Sequence, residues 1–181
     1  RIGDFVVECD FILGHEAAGE VVEIGKGVKS LKVGDRVALE PGVVCGQCEY
    51  CKTGLYNLCP DVRFFATPPY HGVFINYVAH PENMCFKLPD NVSYVEGALI
   101  EPLCVGLHAT SRGEVKLGDT VVIFGVGCIG LSALLASRAR GATNIIVVDI
   151  MENRLQIAKN LGANYALNPQ KVDVIERINE I

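Results

Sequence analysis

Val121-Val122-Ile123-Phe124-Gly125-Val126-Gly127-Cys128-Ile129-Gly130 is followed by an apolar helical run and then by Ile145-Ile146-Val147-Val148-Asp149. One β-branched run leads straight into three glycines, and a second ends on an acid. The order predicts strand, tight turn, helix and second strand. In that context G-x-G-x-x-G reads as a dinucleotide fingerprint rather than an ordinary βαβ turn. Gly125 permits the turn, Gly127 lets a pyrophosphate approach the backbone, and Gly130 lets helix and strand pack closely. The pyrophosphate would sit at the N-terminus of a helix starting near Cys128, where free N–H groups and the helix dipole attract an anion. Asp149 would accept hydrogen bonds from ribose hydroxyls, and its charge would repel the 2′-phosphate of NADP, so NAD is the expected coenzyme.

Beyond this unit, Glu152–Leu161 reads as a helix closed by Gly162. Residues 163–168 read as a third short strand, and 172–181 as a last helix. Together they make one mononucleotide-binding half; a complete Rossmann sheet needs a second. On the other side, Ser93-x-x-Glu96 is a capping box that opens a helix. Pro102 is expected to interrupt that helix, which resumes over Leu103–Ser111. The break sets the expected boundary between a domain at 1–101 and one at 102–181. Glu101 stands in Ala98-Leu99-Ile100-Glu101-Pro102-Leu103, where a carboxylate is either buried and paired or functional.

The first 90 residues read as a small β-rich domain. Alternation after Gly14-His15-Glu16, the turn Gly34-Asp35 before Arg36-Val37-Ala38, and the runs 72–80 and 84–88 around a Pro81-Glu82-Asn83 turn all predict strands. His15 and Glu16 are either a polar strand edge or a pair of zinc ligands, since imidazole and carboxylate both suit that ion. In the loop Pro41–Pro60, Cys45, Cys48, Cys51 and Cys59 follow C-x2-C-x2-C-x7-C. Four thiolates at such spacing close a tetrahedral site that is coordinatively full and therefore structural. Zinc is the expected ion and an iron–sulfur cluster the alternative. Cys9, Cys85, Cys104 and Cys128 read as buried small apolar residues. His71, His80 and His108 have no ligand spacing.

Half of the 181 residues are apolar and a fifth charged, so a buried core is expected. A net charge of −5 disfavours nucleic acid and anionic membrane as partners. No window is long and apolar enough to span a bilayer. Eight cysteines with four crowded together suggest a metal in a reducing compartment, the cytoplasm, rather than disulfides.

With these pieces placed, the chain resembles the zinc-dependent medium-chain dehydrogenases/reductases, and within them the sorbitol/xylitol (polyol) branch. Gly14-His15-Glu16, Gly34-Asp35-Arg36-Val37, the cysteine lobe, Tyr56-Asn57-Leu58, Ala66-Thr67-Pro68-Pro69, Lys87 to Val92, Glu96 to Leu103 and the glycine pattern carry the resemblance through nearly the whole chain. It implies a GroES-like β-rich catalytic domain joined to a Rossmann coenzyme domain, with a catalytic zinc in the cleft between them. It also implies that His15 and Glu16 are catalytic zinc ligands, that Glu101 reaches the zinc through water or contacts substrate, and that Ile129, Asp149 and Arg154 contact NAD. Glu101 falls where classical alcohol dehydrogenases place a ligating cysteine, which favours a polyol over a simple alcohol.

The activity so implied is reversible oxidation of a polyol to a ketose by NAD, in a homodimer or homotetramer. Threonine and butanediol dehydrogenases are rivals within the family. A non-catalytic zinc- and nucleotide-binding module is the rival outside it, and retention of His15, Glu16 and Glu101 speaks against that. A zinc-free quinone reductase conflicts with both Gly-His-Glu and the cysteines. The family's first catalytic ligand, an upstream cysteine, would lie before Arg1; Cys9 is too close to His15 to serve. The chain is therefore expected to be the middle of a longer enzyme, and to be inactive or very weak alone.

Overall fold

Short polar turns cut the first hundred residues into strands of two to four residues. A computed structural model describes residues 6–8 and 10–181; the reading of Cys9 lies outside the described residues. The chain forms two units, Arg1–Glu101 and Pro102–Ile181.

In the first unit β1 (Ala18–Glu20), β2 (Arg36–Leu39) and β5 (Cys85–Lys87) make an antiparallel sheet in the order β1-β2-β5. Ala38 faces Ala18 on one side and Phe86 on the other. Val37, Ala38, Met84 and Leu88 are buried. A second ladder pairs β3 (Gly42–Val43) with β4 (Arg63–Phe64), closing the base of the cysteine loop, which carries the short helix α1 (Glu49–Lys52). The capping box forms as expected: Glu96 N–H donates to Ser93 Oγ (3.2 Å), Ser93 N–H donates to Glu96 Oε2 (2.7 Å), and α2 (Tyr94–Ala98) follows.

Three expectations are corrected. The run after Glu16 is regular strand only over β1. Residues 72–80 form no strand. Their alternation covers no buried face, since Phe74 and Tyr77 are about three-quarters exposed (76 % and 75 %). Their backbone instead donates to a loop, with Gly72 bonded to Ile12 O (2.7 Å) and Phe74 to Leu13 O (3.0 Å). The helix break falls at Leu99, not at Pro102, which lies inside α3 (Ile100–Arg112). Proline is tolerated in a first turn because its absent N–H would have had no intrahelical partner.

The second unit is a parallel sheet, β6-β7-β8, built from β6 (Thr120–Phe124), β7 (Asn144–Val148) and β8 (Tyr165–Leu167). The helices α4 (Cys128–Ala139), α5 (Glu152–Asn160) and α6 (Val174–Glu180) connect and follow the strands. The unbroken apolar run of β7 is explained by burial on both faces. Ile145 and Val147 pack with Leu134, Leu155 and Ala158; Ile146 and Val148 pack with Leu167, Val174 and Ile178.

The remaining cysteines are corrected too: Cys104 and Cys128 are exposed and Cys85 is half-buried. In α3 the buried residues are Pro102, Gly106 and Thr110, spaced by four, and Cys104 stands two positions off that stripe, about 200° round from Pro102. His71 and His108 are exposed and His80 is half-buried. Among the described residues no helix is long and apolar enough to cross a membrane.

Candidate metal centres and coenzyme loop

The four cysteines converge. Cys48 caps the N-terminus of α1, Cys51 lies within it, and a 3-10 turn over Tyr56–Leu58 delivers Cys59. Their sulfurs all lie within 4.8 Å of one another. Cys45 Sγ and Cys51 Sγ are 3.9 Å apart. A disulfide needs about 2.05 Å; the edge of a tetrahedron with zinc–sulfur bonds of about 2.3 Å is about 3.8 Å. Backbone N–H groups also point at sulfur, from Cys48 to Cys45 Sγ (3.4 Å) and from Cys45 to Cys59 Sγ (3.5 Å). Donation from the Gln47 and Cys48 backbone brings the Cys45 thiol down to about 7, while burial, aided by the Cys48 side chain, pushes Cys51 up to about 12. Four thiols this close cannot all ionise without a cation among them, and this donor set fits a soft divalent ion.

The second cluster is His15, Glu16 and Glu101, which each present a ligand atom within 4.8 Å of the others. Backbone bonds hold the Gly-His-Glu segment on both sides: Val73 N–H donates to Gly14 O (2.9 Å) and Leu39 N–H to Ala17 O (3.0 Å). The His15 ring lies 5.7 Å from that of Phe64. Glu101 comes from the first turn of α3. His15 and Glu101 are half-buried and Glu16 is exposed. Burial raises the Glu101 carboxyl above its ordinary range; His15 opposes this, and the charges of Glu16 and Glu40 add to it. His15 and Glu16 are donors of the kind an open zinc site uses, and Glu101 stands beside them as a second carboxylate.

Sequence reasoning missed Glu40. It ends the apolar run Val37-Ala38-Leu39 just before the cysteine lobe, a carboxylate after a buried strand, which was the available signal. Its carbonyl pairs with His80 Nε2 (2.8 Å), and its Oε2 lies 3.4 Å from the Tyr56 hydroxyl.

In the second unit the glycine loop joins β6 to α4. Gly125 has φ +83°, and a Cβ on Gly130 would lie 1.9 Å from Gly125 O. A Cβ on Gly127 would meet nothing within 4 Å. Gly127 caps α4 without a side-chain bond, so first-turn N–H groups face an open approach suited to an anion. Ile129 and Arg154 are exposed; Asp149 is buried. Asp149 Oδ2 accepts from Val126 N–H (2.8 Å) and Oδ1 from Met151 N–H (2.8 Å), with Arg154 Nη1 4.0 Å from Oδ2. The two backbone donors, ahead of Arg154, hold this carboxyl below its ordinary range.

Residues 1–90 match the alcohol dehydrogenase GroES-like domain family, and residues 128–181 match the zinc-binding dehydrogenase family. Sorbitol dehydrogenase of Bacillus subtilis is 51% identical over 181 residues, covering 100% of this chain and 51% of that protein. The probable D-xylulose reductase A of Arthroderma otae is 52% identical over 180 residues, 99% of this chain and 51% of its own length. Among solved structures, an oxidoreductase/dehydrogenase of unknown specificity from Escherichia coli superposes with a TM-score of 0.92 at 50% identity, over 94% of this chain and 50% of that one. The chain belongs to the zinc-dependent medium-chain dehydrogenase family and has its GroES-like fold joined to a partial Rossmann fold. It spans about half the length of the curated relatives it matches.

Proposed function

We propose that the whole protein is an NAD-dependent zinc polyol dehydrogenase that oxidises a secondary alcohol of a sorbitol- or xylitol-type polyol to the ketose. The observation that carries this is the meeting of His15, Glu16 and Glu101 outside the cysteine lobe. A module needing metal only for its fold has no use for that second cluster. Glutamate at 101 favours a polyol over a simple alcohol, and relatives named for sorbitol and D-xylulose favour a polyol over threonine or butanediol.

In this reading 1–101 is the catalytic domain and 102–181 the first half of the coenzyme domain. Cys45, Cys48, Cys51 and Cys59 hold a structural zinc. His15 and Glu16 would hold the catalytic one. When bound, zinc supplies Lewis acidity to the substrate hydroxyl and NAD supplies the hydride acceptor. Glu101, half-buried with its carboxylate within 4.8 Å of the His15 and Glu16 ligand atoms, is placed to accept the proton that the hydroxyl gives up. Gly125, Gly127 and Gly130 admit the pyrophosphate, Ile129 lies against the coenzyme, and Asp149 with Arg154 reads the adenosine ribose. A cytoplasmic homodimer or homotetramer completes the proposal.

The test is NAD reduction by the whole protein with sorbitol, xylitol, threonine, butanediol and ethanol, with and without a chelator. Turnover of the first two, abolished by chelation, is expected. Absence of turnover with all five in protein that binds both zinc and NAD would favour the non-catalytic module.

A further inference from the structure

Asp149 does work in the ligand-free fold that reading a ribose does not require. Its side chain is only 6 % exposed, and each carboxylate oxygen already accepts a backbone N–H at 2.8 Å. One donor is Val126, the residue between the first two glycines, which has no exposed surface. The neighbouring N–H, from Gly125, donates to Val148 O at 2.7 Å. Two consecutive N–H groups of the glycine loop are thus tied to the C-terminal end of β7, one through backbone and one through the Asp149 side chain. A charged acceptor makes the stronger kind of hydrogen bond. Val126 N–H, buried with its residue, has no water to replace that acceptor.

We infer that Asp149 is a positioning residue for the glycine loop, holding Val126 and with it the anion-facing turn at Gly127, in addition to any contact with the coenzyme ribose. This deepens the coenzyme reading proposed above and makes a different prediction about coenzyme choice. Were Asp149 only a sensor of the ribose 2′ position, its removal would weaken NAD and spare or improve NADP. As a pin for the loop that both coenzymes share, its removal weakens both.

The experiment compares wild type, Asp149→Ala and Asp149→Asn. Asparagine retains one carbonyl oxygen for Val126 and leaves Met151, which is exposed, to bond water. Amide hydrogen exchange is followed in the whole protein without ligand, and NAD and NADP binding in the same protein. In Asp149→Ala, the Val126 amide should exchange about tenfold faster or more, with core amides of β7 such as Ile146 unchanged. Both coenzymes should bind more weakly, NAD by more than about tenfold because its ribose contact is lost together with the loop's support. Asp149→Asn should restore Val126 protection and NAD binding while narrowing the NAD/NADP ratio, a rescue that a general loss of stability would not produce. If alanine abolishes folding, the asparagine variant alone decides: protected Val126 with narrowed selectivity supports the pin, and unprotected Val126 with normal NAD binding overturns it. Unchanged Val126 exchange in Asp149→Ala, or loss of NAD with NADP spared, overturns it as well. The exchange arm needs no nucleotide, so failure of both coenzymes to bind wild type would refute the coenzyme reading without touching this one.

Discussion

A methyl group added to either of two glycines three residues apart meets opposite surroundings. At Gly130 it would lie 1.9 Å from Gly125 O, so strand and helix must separate. Gly130→Ala should destabilise the chain by about 1–3 kcal/mol, as overpacking does. At Gly127 the methyl meets nothing, and φ −74° is ordinary for alanine. Gly127→Ala should leave stability within about 0.5 kcal/mol but weaken NAD by about tenfold or more, because the methyl fills the space where phosphate approaches the backbone. Thermal melts and calorimetric titration of the two variants separate these effects. Equal stability with equal NAD affinity for Gly127→Ala would remove the pyrophosphate from this loop.

Among the elements, the link between β2 and the segment before β5 is open to a pH test. His80 Nε2 pairs with Glu40 O, and its ring lies 4.8 Å from that of Phe65. Burial lowers the His80 pKa below its ordinary 6.5, partly offset by the Glu40 carbonyl. The unfolded chain therefore binds this proton at a higher pH than the folded one. The contribution of His80 to stability is complete above about pH 6.5. It is lost as pH falls from there through the lower folded value. Melting temperatures should decline over that interval in wild type, and less steeply in His80→Gln, which keeps a donor for Glu40 but cannot titrate. An identical slope in both would contradict the assignment. The same elements show what was legible in the sequence. The capping box at Ser93 closes over three residues and the βαβ unit around Gly125 is one contiguous stretch of strand, helix and strand, and both formed. Residues 72–80 alternate like a strand, but alternation does not say whether a face will be covered, and Phe74 and Tyr77 stay exposed. Pro102 reads as a breaker in the sequence because its place in a first turn depends on the earlier stop at Leu99. Glu40 could be noticed but not placed, since its neighbours His80 and Tyr56 come from distant segments.

Across the whole molecule, both clusters that could hold a metal lie in one unit and the glycine loop lies in the other. The cysteine lobe has little core of its own: Cys59 is buried, but Tyr50, Leu55, Tyr56 and Leu58 are exposed. On the proposed reading such a loop depends on a bound zinc for order, as small metal-bound units do. The His15 cluster has no comparable structural duty, since the segments beside it are held by backbone bonds to residues 39 and 73. These two roles should separate in a single measurement, the zinc content of the whole protein set beside its polyol turnover. Wild type should hold two zinc ions per chain, in line with a closed four-sulfur site and an open site at His15 and Glu16 beside Glu101. Cys48→Ser should lose one and expose residues 41–60 to proteolysis. His15→Ala should also lose one, abolish turnover and leave 41–60 protected. Two zinc ions and undiminished turnover in His15→Ala would contradict a catalytic metal at His15, Glu16 and Glu101.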